Sequence, residues 1–199
     1  MKRSTILSIF IFAISLMAVL PTTAQNSQKS KSRVAYIRKQ YSDAQALAKR
    51  TADNMVSVTQ RETSEGYSTV TTLDFFYVID VMEGTDIPYS KLNLLRRTIK
   101  GTVNSYEEFL YDPEEENLLF YFYTAEYEKG VKCEVRCYDN AADDGSILTL
   151  KKFTDTKTGK DVTAQYGDIL GMPWDEGFML RFSHDMQEAF NHLTLRGWD

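Results

Sequence analysis

Histidine and cysteine are both scarce, two of each among 199 residues, and each shortage closes off chemistry. A Ser–His–acid triad would have to recruit His184 or His192, and no G-x-S-x-G elbow is present to carry the serine. A zinc or redox centre built on Cys133 and Cys137 lacks both a C-x-x-C spacing and a nearby histidine. No apolar run after residue 20 is long enough to span a bilayer, and no internal repeat argues for duplication. Basic stripes are missing too. The densest, Lys29-Ser30-Lys31-Ser32-Arg33, is short, and the chain carries a formal net charge of −5. Nucleic-acid binding is therefore not expected.

What is present begins at the N-terminus. Lys2 and Arg3 precede an apolar run from Ile6 to Leu20, and Pro21-Thr22-Thr23-Ala24 supplies small residues for signal-peptide cleavage. As a helix the run would span roughly 22 Å, against a hydrocarbon core of about 30 Å, so a cleaved signal is expected over an uncleaved anchor. Residues 1–24 then form a signal peptide, and the mature chain starts at Gln25 in the periplasm or outside the cell. No cysteine lies near the cleavage point to accept a lipid, so no stable membrane anchor is expected. Lys2 and Arg3 leave with the signal, so 21 basic residues face 28 acidic ones, a net of −7.

About 170 mature residues suit one domain able to bury a core without covalent staples. Residues 25–32 are polar and aperiodic and read as a flexible leader; residues 33–199 read as a single α+β domain. Val34, Ile37, Tyr41, Ala44, Leu47 and Ala48 recur at helical spacing and predict a helix over about 33–53. Residues 55–153 then break into β-branched and aromatic runs at 55–62, 68–81, 92–100, 103–111, 118–127, 131–138 and 147–153, divided by turn chemistry. Short connections favour an antiparallel meander of about seven strands. Phe178, Phe182, Met186, Ala189, Phe190 and Leu193 predict a last helix over 175–195, with Asp175 as N-cap and Gly197 as stop. The expected fold is α+β, the two helices covering one face of a curved sheet. Its expected core includes Ile37, Tyr41, Leu73, Phe75, Phe120, Phe122, Val135, Phe182, Met186 and Phe190.

Several clusters invite a chemical reading. Cys133 and Cys137 fall on one face of a strand, their Cα atoms roughly 13 Å apart, which excludes a disulfide between them and favours two buried free thiols. His184, Glu188 and His192 repeat every four residues, but on a helical wheel they lie opposite the apolar stripe, as a solvated face would. No metal ligand set and no cofactor are expected. The acidic groups Glu114-Glu115-Glu116 and Asp143-Asp144 fall in turns and fail the EF-hand template. Asp74, inside an apolar run, is the acid least explained by a turn, yet is ordinary on an outward strand face.

Aromatic residues crowd two neighbouring strands. Alternation places Leu118, Phe120 and Phe122 on one face and Leu119, Tyr121, Tyr123, Ala125 and Tyr127 on the other. Two accounts stand: a central strand covered on both sides, or a tyrosine-lined face that takes a partner through Tyr121, Tyr123 and Tyr127. Tyr106-Glu107-Glu108-Phe109-Leu110-Tyr111-Asp112, Asn117-Leu118-Leu119-Phe120-Tyr121-Phe122-Tyr123 and Glu134-Val135-Arg136-Cys137-Tyr138-Asp139-Asn140 together resemble a hairpin and strand of small exported bacterial proteins without assigned function. That resemblance spans about 35 residues of hairpin chemistry and implies no catalytic residue. The expectation is an exported, non-enzymatic binding module of the cell envelope, with an envelope protein, peptide or glycan as partner and an unknown oligomeric state. Alternatives are a carboxylate hydrolase of envelope glycan or peptide, recognisable by two facing acids in a cleft, and an assembly subunit, recognisable by a long unpaired edge strand.

Overall fold

A computed structural model of the chain describes residues 28–50, 54–127, 130–142, 144–166 and 172–195. The signal peptide and its cleavage point, the proposed stop at Gly197 and one member of the Asp143-Asp144 pair lie outside these residues. Helix α1 (Gln28–Arg50) leads into seven strands: β1 (Met55–Ser64), β2 (Tyr67–Val81), β3 (Pro88–Lys100), β4 (Asn104–Tyr111), β5 (Leu118–Tyr127), β6 (Val131–Tyr138) and β7 (Leu148–Asp155). A single turn of helix, α2 (Thr163–Tyr166), and the long helix α3 (Glu176–Leu195) complete the order. The strands form one antiparallel sheet in sequence order, β1 to β7, which is the expected meander. No described helix is long and apolar enough to cross a membrane.

The helices do not share a face. Ile37, Ala44 and Ala48 of α1 pack with Phe76, Leu94, Leu110, Phe120 and Tyr138. Met179 and Phe190 of α3 pack with Phe75, Leu95, Phe109, Tyr121 and Cys137. Those strand residues are sequence neighbours, so they project to opposite sides of the pleat. The expected one-sided cover is corrected for a simple reason. The middle of the sheet is apolar on both sides, at Phe75 and Phe76, Leu94 and Leu95, Phe109 and Leu110, and Phe120 and Tyr121, and each side needs its own lid.

Two boundaries also moved. Helix α1 starts at Gln28, inside the segment expected to be a flexible leader. Ser30 is buried and its hydroxyl donates to the Ala141 carbonyl, while Arg33 pairs with Asp139 at 3.1 Å. These contacts come from the β6–β7 turn, so local polarity gave no hint of them. Strand β3 starts at Pro88, which pairs with Val81, because a first strand position loses no needed N–H to proline.

An irregularity in the β4–β5 ladder sets the aromatic faces. Leu110 pairs with Phe120 but Tyr111 pairs with Leu118, leaving Leu119 as an extra residue. Leu119 therefore joins the α1 side and Leu118 the α3 side, the reverse of simple alternation.

Candidate functional site

Tyr121, Tyr123 and Tyr127 all project towards the α3 side, as alternation requires. They do not form an open platform there. Tyr121 is fully buried, packs on Phe109 at 4.8 Å between ring centroids and donates to Glu107 at 3.1 Å. Tyr123 is buried beneath Trp174, which meets it edge-on at 5.2 Å, and only Tyr127 keeps partial exposure. Burial and the neighbouring Glu107 carboxylate push the Tyr121 hydroxyl well above the usual phenol range. Burial does the same, more weakly, to Tyr127. Tyr121 and Tyr123 belong to the core, and a ligand would have to displace the cover on the α3 side to reach them.

The most concentrated polar chemistry instead lies on β3 and β4, where two consecutive cross-strand pairs join Arg96 to Glu108 and Arg97 to Glu107. Because successive strand residues alternate, one pair serves each face. On the α1 side Glu108 accepts from Arg96 Nε at 3.0 Å, from Gln45 at 2.8 Å, and from the hydroxyls of Tyr41 and Tyr106. Arg96 also covers the Phe76 ring at 4.7 Å. On the α3 side Glu107 meets Arg97 at 3.3 Å and the Tyr121 hydroxyl, and Arg97 lies 4.6 Å above the Phe182 ring. Both glutamates are buried, with relative exposures of 1% for Glu107 and 3% for Glu108. Desolvation raises the Glu107 carboxyl above its ordinary range, and Arg97 and Tyr121 only partly offset it. Set back to back through the sheet, the two carboxylates cannot face a common substrate. Each closes a local network that ties a helix to the sheet.

The remaining candidates are peripheral. Asp74 accepts from Ser57 at 2.7 Å on the partly exposed end of the sheet. Glu114 to Glu116 form a turn in which Asp112 Oδ1 accepts the Glu114 and Glu115 amides. His184, Asp185 and Glu188 place ligand atoms within 4.8 Å of one another on the exposed surface of α3. Cys133 and Cys137 are buried free thiols on one face of β6, their pKa values raised chiefly by burial to about 12 and about 11. An open groove of about 450 Å³ lies between α1 and the ends of β2 and β3, lined by Gln40, Asp43, Leu47, Val78 and Lys91. Asp43 and Asp80 both line it; Asp43 is held by Lys39 at 2.7 Å, and Asp80 accepts from the Tyr89 hydroxyl at 3.4 Å.

The sheet edges differ in a way the sequence did not reveal. Strand β7 is partly closed by its own continuation: Phe153 N donates to Thr163 Oγ1, Asp155 N to the Lys160 carbonyl, and Val162 N returns to the Phe153 carbonyl. Strand β1 has no neighbour on its outer side among the described residues. The turn Glu65-Gly66, with Gly66 at φ 90°, joins Ser64 directly to Tyr67, which makes the even-numbered residues of β1 the ones bonded to β2. The bond from Tyr77 N to the Asn54 carbonyl keeps the same phase at the far end. Met55, Ser57, Thr59, Arg61 and Thr63 therefore aim their N–H and C=O groups outward. Nearly all of β1 is exposed on both faces, with only Val56 partly covered. Comparisons with protein-family models, curated proteins and solved structures return no match to this chain.

Proposed function

We propose that the protein is an exported, non-enzymatic assembly subunit of the cell envelope that receives an extended segment of a partner along β1, the alternative that a long unpaired edge strand marks. The observation that carries this reading is the outer edge of β1, ten residues long, without proline or lysine and, among the described residues, without a covering loop. Edge strands are ordinarily blunted by such devices, because a row of unpaired amides templates another strand. Strand addition uses that row for affinity and the alternating side chains for selectivity. The exposed Ile79, Val81, Met82 and Ile87 at the β2–β3 hairpin tip add an apolar patch of the kind that contact surfaces use. Export rests on the Met1–Ala24 pattern.

Position-specific photo-crosslinking in the producing cell tests the reading. A photoreactive residue replacing Thr59 is expected to give a discrete adduct, and one replacing Lys152 on β7 is not. Introducing Ser57→Pro should abolish the Thr59 adduct, since the Ser57 N–H points outward. Absence of any adduct from Thr59 sinks the proposal.

A further inference from the structure

Resting on the strand-addition reading, we infer that the partner at β1 is a second copy of this chain, paired antiparallel about a two-fold axis through Thr59. Backbone phase permits it, because the outward-facing residues of β1 all carry odd numbers. A register centred on Thr59 sets Met55 against Thr63, Ser57 against Arg61 and Thr59 against itself, so every outward N–H and C=O meets its complement. It pairs residues 55–63 of β1, and Asn54 set against Ser64 extends it by one step at each end. Registers centred on Arg61 or Glu62 would oppose like charges and are disfavoured.

Charge selects the same arrangement. Arg61 makes no ion pair within its own chain among the described residues, and neither does Asp74. Both lie on the α1 side of the sheet, but Arg61 pairs with Val70 while Asp74 pairs with Ser57. Four residues of strand, roughly 13 Å, keep them apart within one copy. In the two-fold pair, Arg61 of one copy lies opposite Ser57 of the other, whose hydroxyl already donates to Asp74. Two inter-strand steps of about 4.8 Å then separate the arginine and aspartate backbones, within the joint reach of the two side chains. Arg61 acquires an acidic partner, and Asp74, whose cross-strand neighbour Arg96 is taken by Glu108 and Gln45, acquires an arginine of its own, twice per dimer. The product is one continuous sheet whose outer edges are the shielded β7 strands.

Sedimentation equilibrium of the purified protein tests this. The wild type is expected to form a dimer. Thr59→Pro should yield a monomer, and its missing N–H costs no bond to β2, so far-UV circular dichroism should be unchanged. Arg61→Asp should weaken association about tenfold or more by setting two acids together, and Arg61→Asp with Asp74→Arg should restore it to within about threefold. The charge swap decides the matter if the proline variant fails to fold. A wild type that stays monomeric at hundreds of micromolar overturns the second-copy assignment, as does a dimer indifferent to both changes. If crosslinking from Thr59 then captures a different protein, the strand-addition reading stands and only the identity of the partner falls.

Discussion

Replacing Glu108 by alanine should be among the most damaging single changes in this fold. The carboxylate is 3% exposed and gathers a guanidinium, an amide and two phenol hydroxyls. Truncation leaves Arg96, whose side chain is only 18% exposed, without its counter-charge, and leaves the Tyr41 and Tyr106 hydroxyls without their acceptor. Breaking a buried pair from one side costs about 3–5 kcal/mol, most of it the penalty for the stranded charge. At about 2–4 °C per kcal/mol for a domain of this size, the melting temperature should fall by roughly 6–20 °C. The double variant Arg96→Met with Glu108→Leu removes both charges and should recover the part of the loss due to the stranded guanidinium, while the Tyr41 and Tyr106 hydroxyls and the Gln45 amide still lose their partners. Scanning calorimetry on the wild type, Arg96→Met, Glu108→Leu and the double variant closes the cycle. A double variant as unstable as Glu108→Leu, or a single variant losing under about 1 kcal/mol, would refute the assignment of a desolvated, mutually dependent pair.

Three further outcomes follow from the same geometry. Glu107 has a folded-state pKa raised by burial, so its protonated form is the one the fold favours; its contribution is full below the ordinary glutamate pKa and is lost as pH rises through the raised value. Urea titrations should accordingly show the stability gap between wild type and Glu107→Gln narrowing from acid to neutral pH; a widening gap would mean that the attraction to Arg97 outweighs desolvation. Tyr121→Phe removes the hydroxyl donor to Glu107 and should cost about 1–3 kcal/mol, measured by the shift in urea midpoint at constant slope. Cys133 and Cys137 should resist a thiol reagent in the native state at neutral pH and react as two thiols in denaturant, and rapid native labelling would contradict their burial and raised pKa values.

The strands were legible because β-branched and aromatic runs here are short and bounded by strong turn chemistry such as Ser64-Glu65-Gly66-Tyr67 and Tyr127-Glu128-Lys129-Gly130. The assignment of each helix to a face was not. It depends on both sides of the central strands being apolar, and Tyr121 reads equally well as core or as surface because tyrosine is amphipathic. Shielding by α3 and Trp174 decides that question, and neither is visible in the β5 sequence. The Arg–Glu pairs did leave a signal: Arg96-Arg97 and Glu107-Glu108 are placed symmetrically about the β3–β4 turn. Using it required the register, and a slip of one residue would send every side chain to the other face. The early start of α1 was invisible because Ser30 is buried by a contact with Ala141, 111 positions away.

The same register that buries the Arg–Glu pairs explains why the β1 edge is left available. Helix α1 and helix α3 converge on β2 to β6, where Arg96, Arg97, Glu107 and Glu108 anchor Tyr41, Gln45 and Phe182 from the two sides. The buried residues of both helices sit over those central strands, and β1 lies beyond most of their cover. It is held chiefly by its ladder to β2, an arrangement that is marginal for a hairpin alone in water and needs a third strand or a packed face for stability. Strand β2 already supplies the link to β3 on one side. The added strand at β1 would complete the other side, converting the least supported strand into an interior one. On the strand-addition proposal a partner at β1 would add backbone bonds along its outer edge, and in the two-fold pair each copy would set its Asp74 within reach of the other's Arg61.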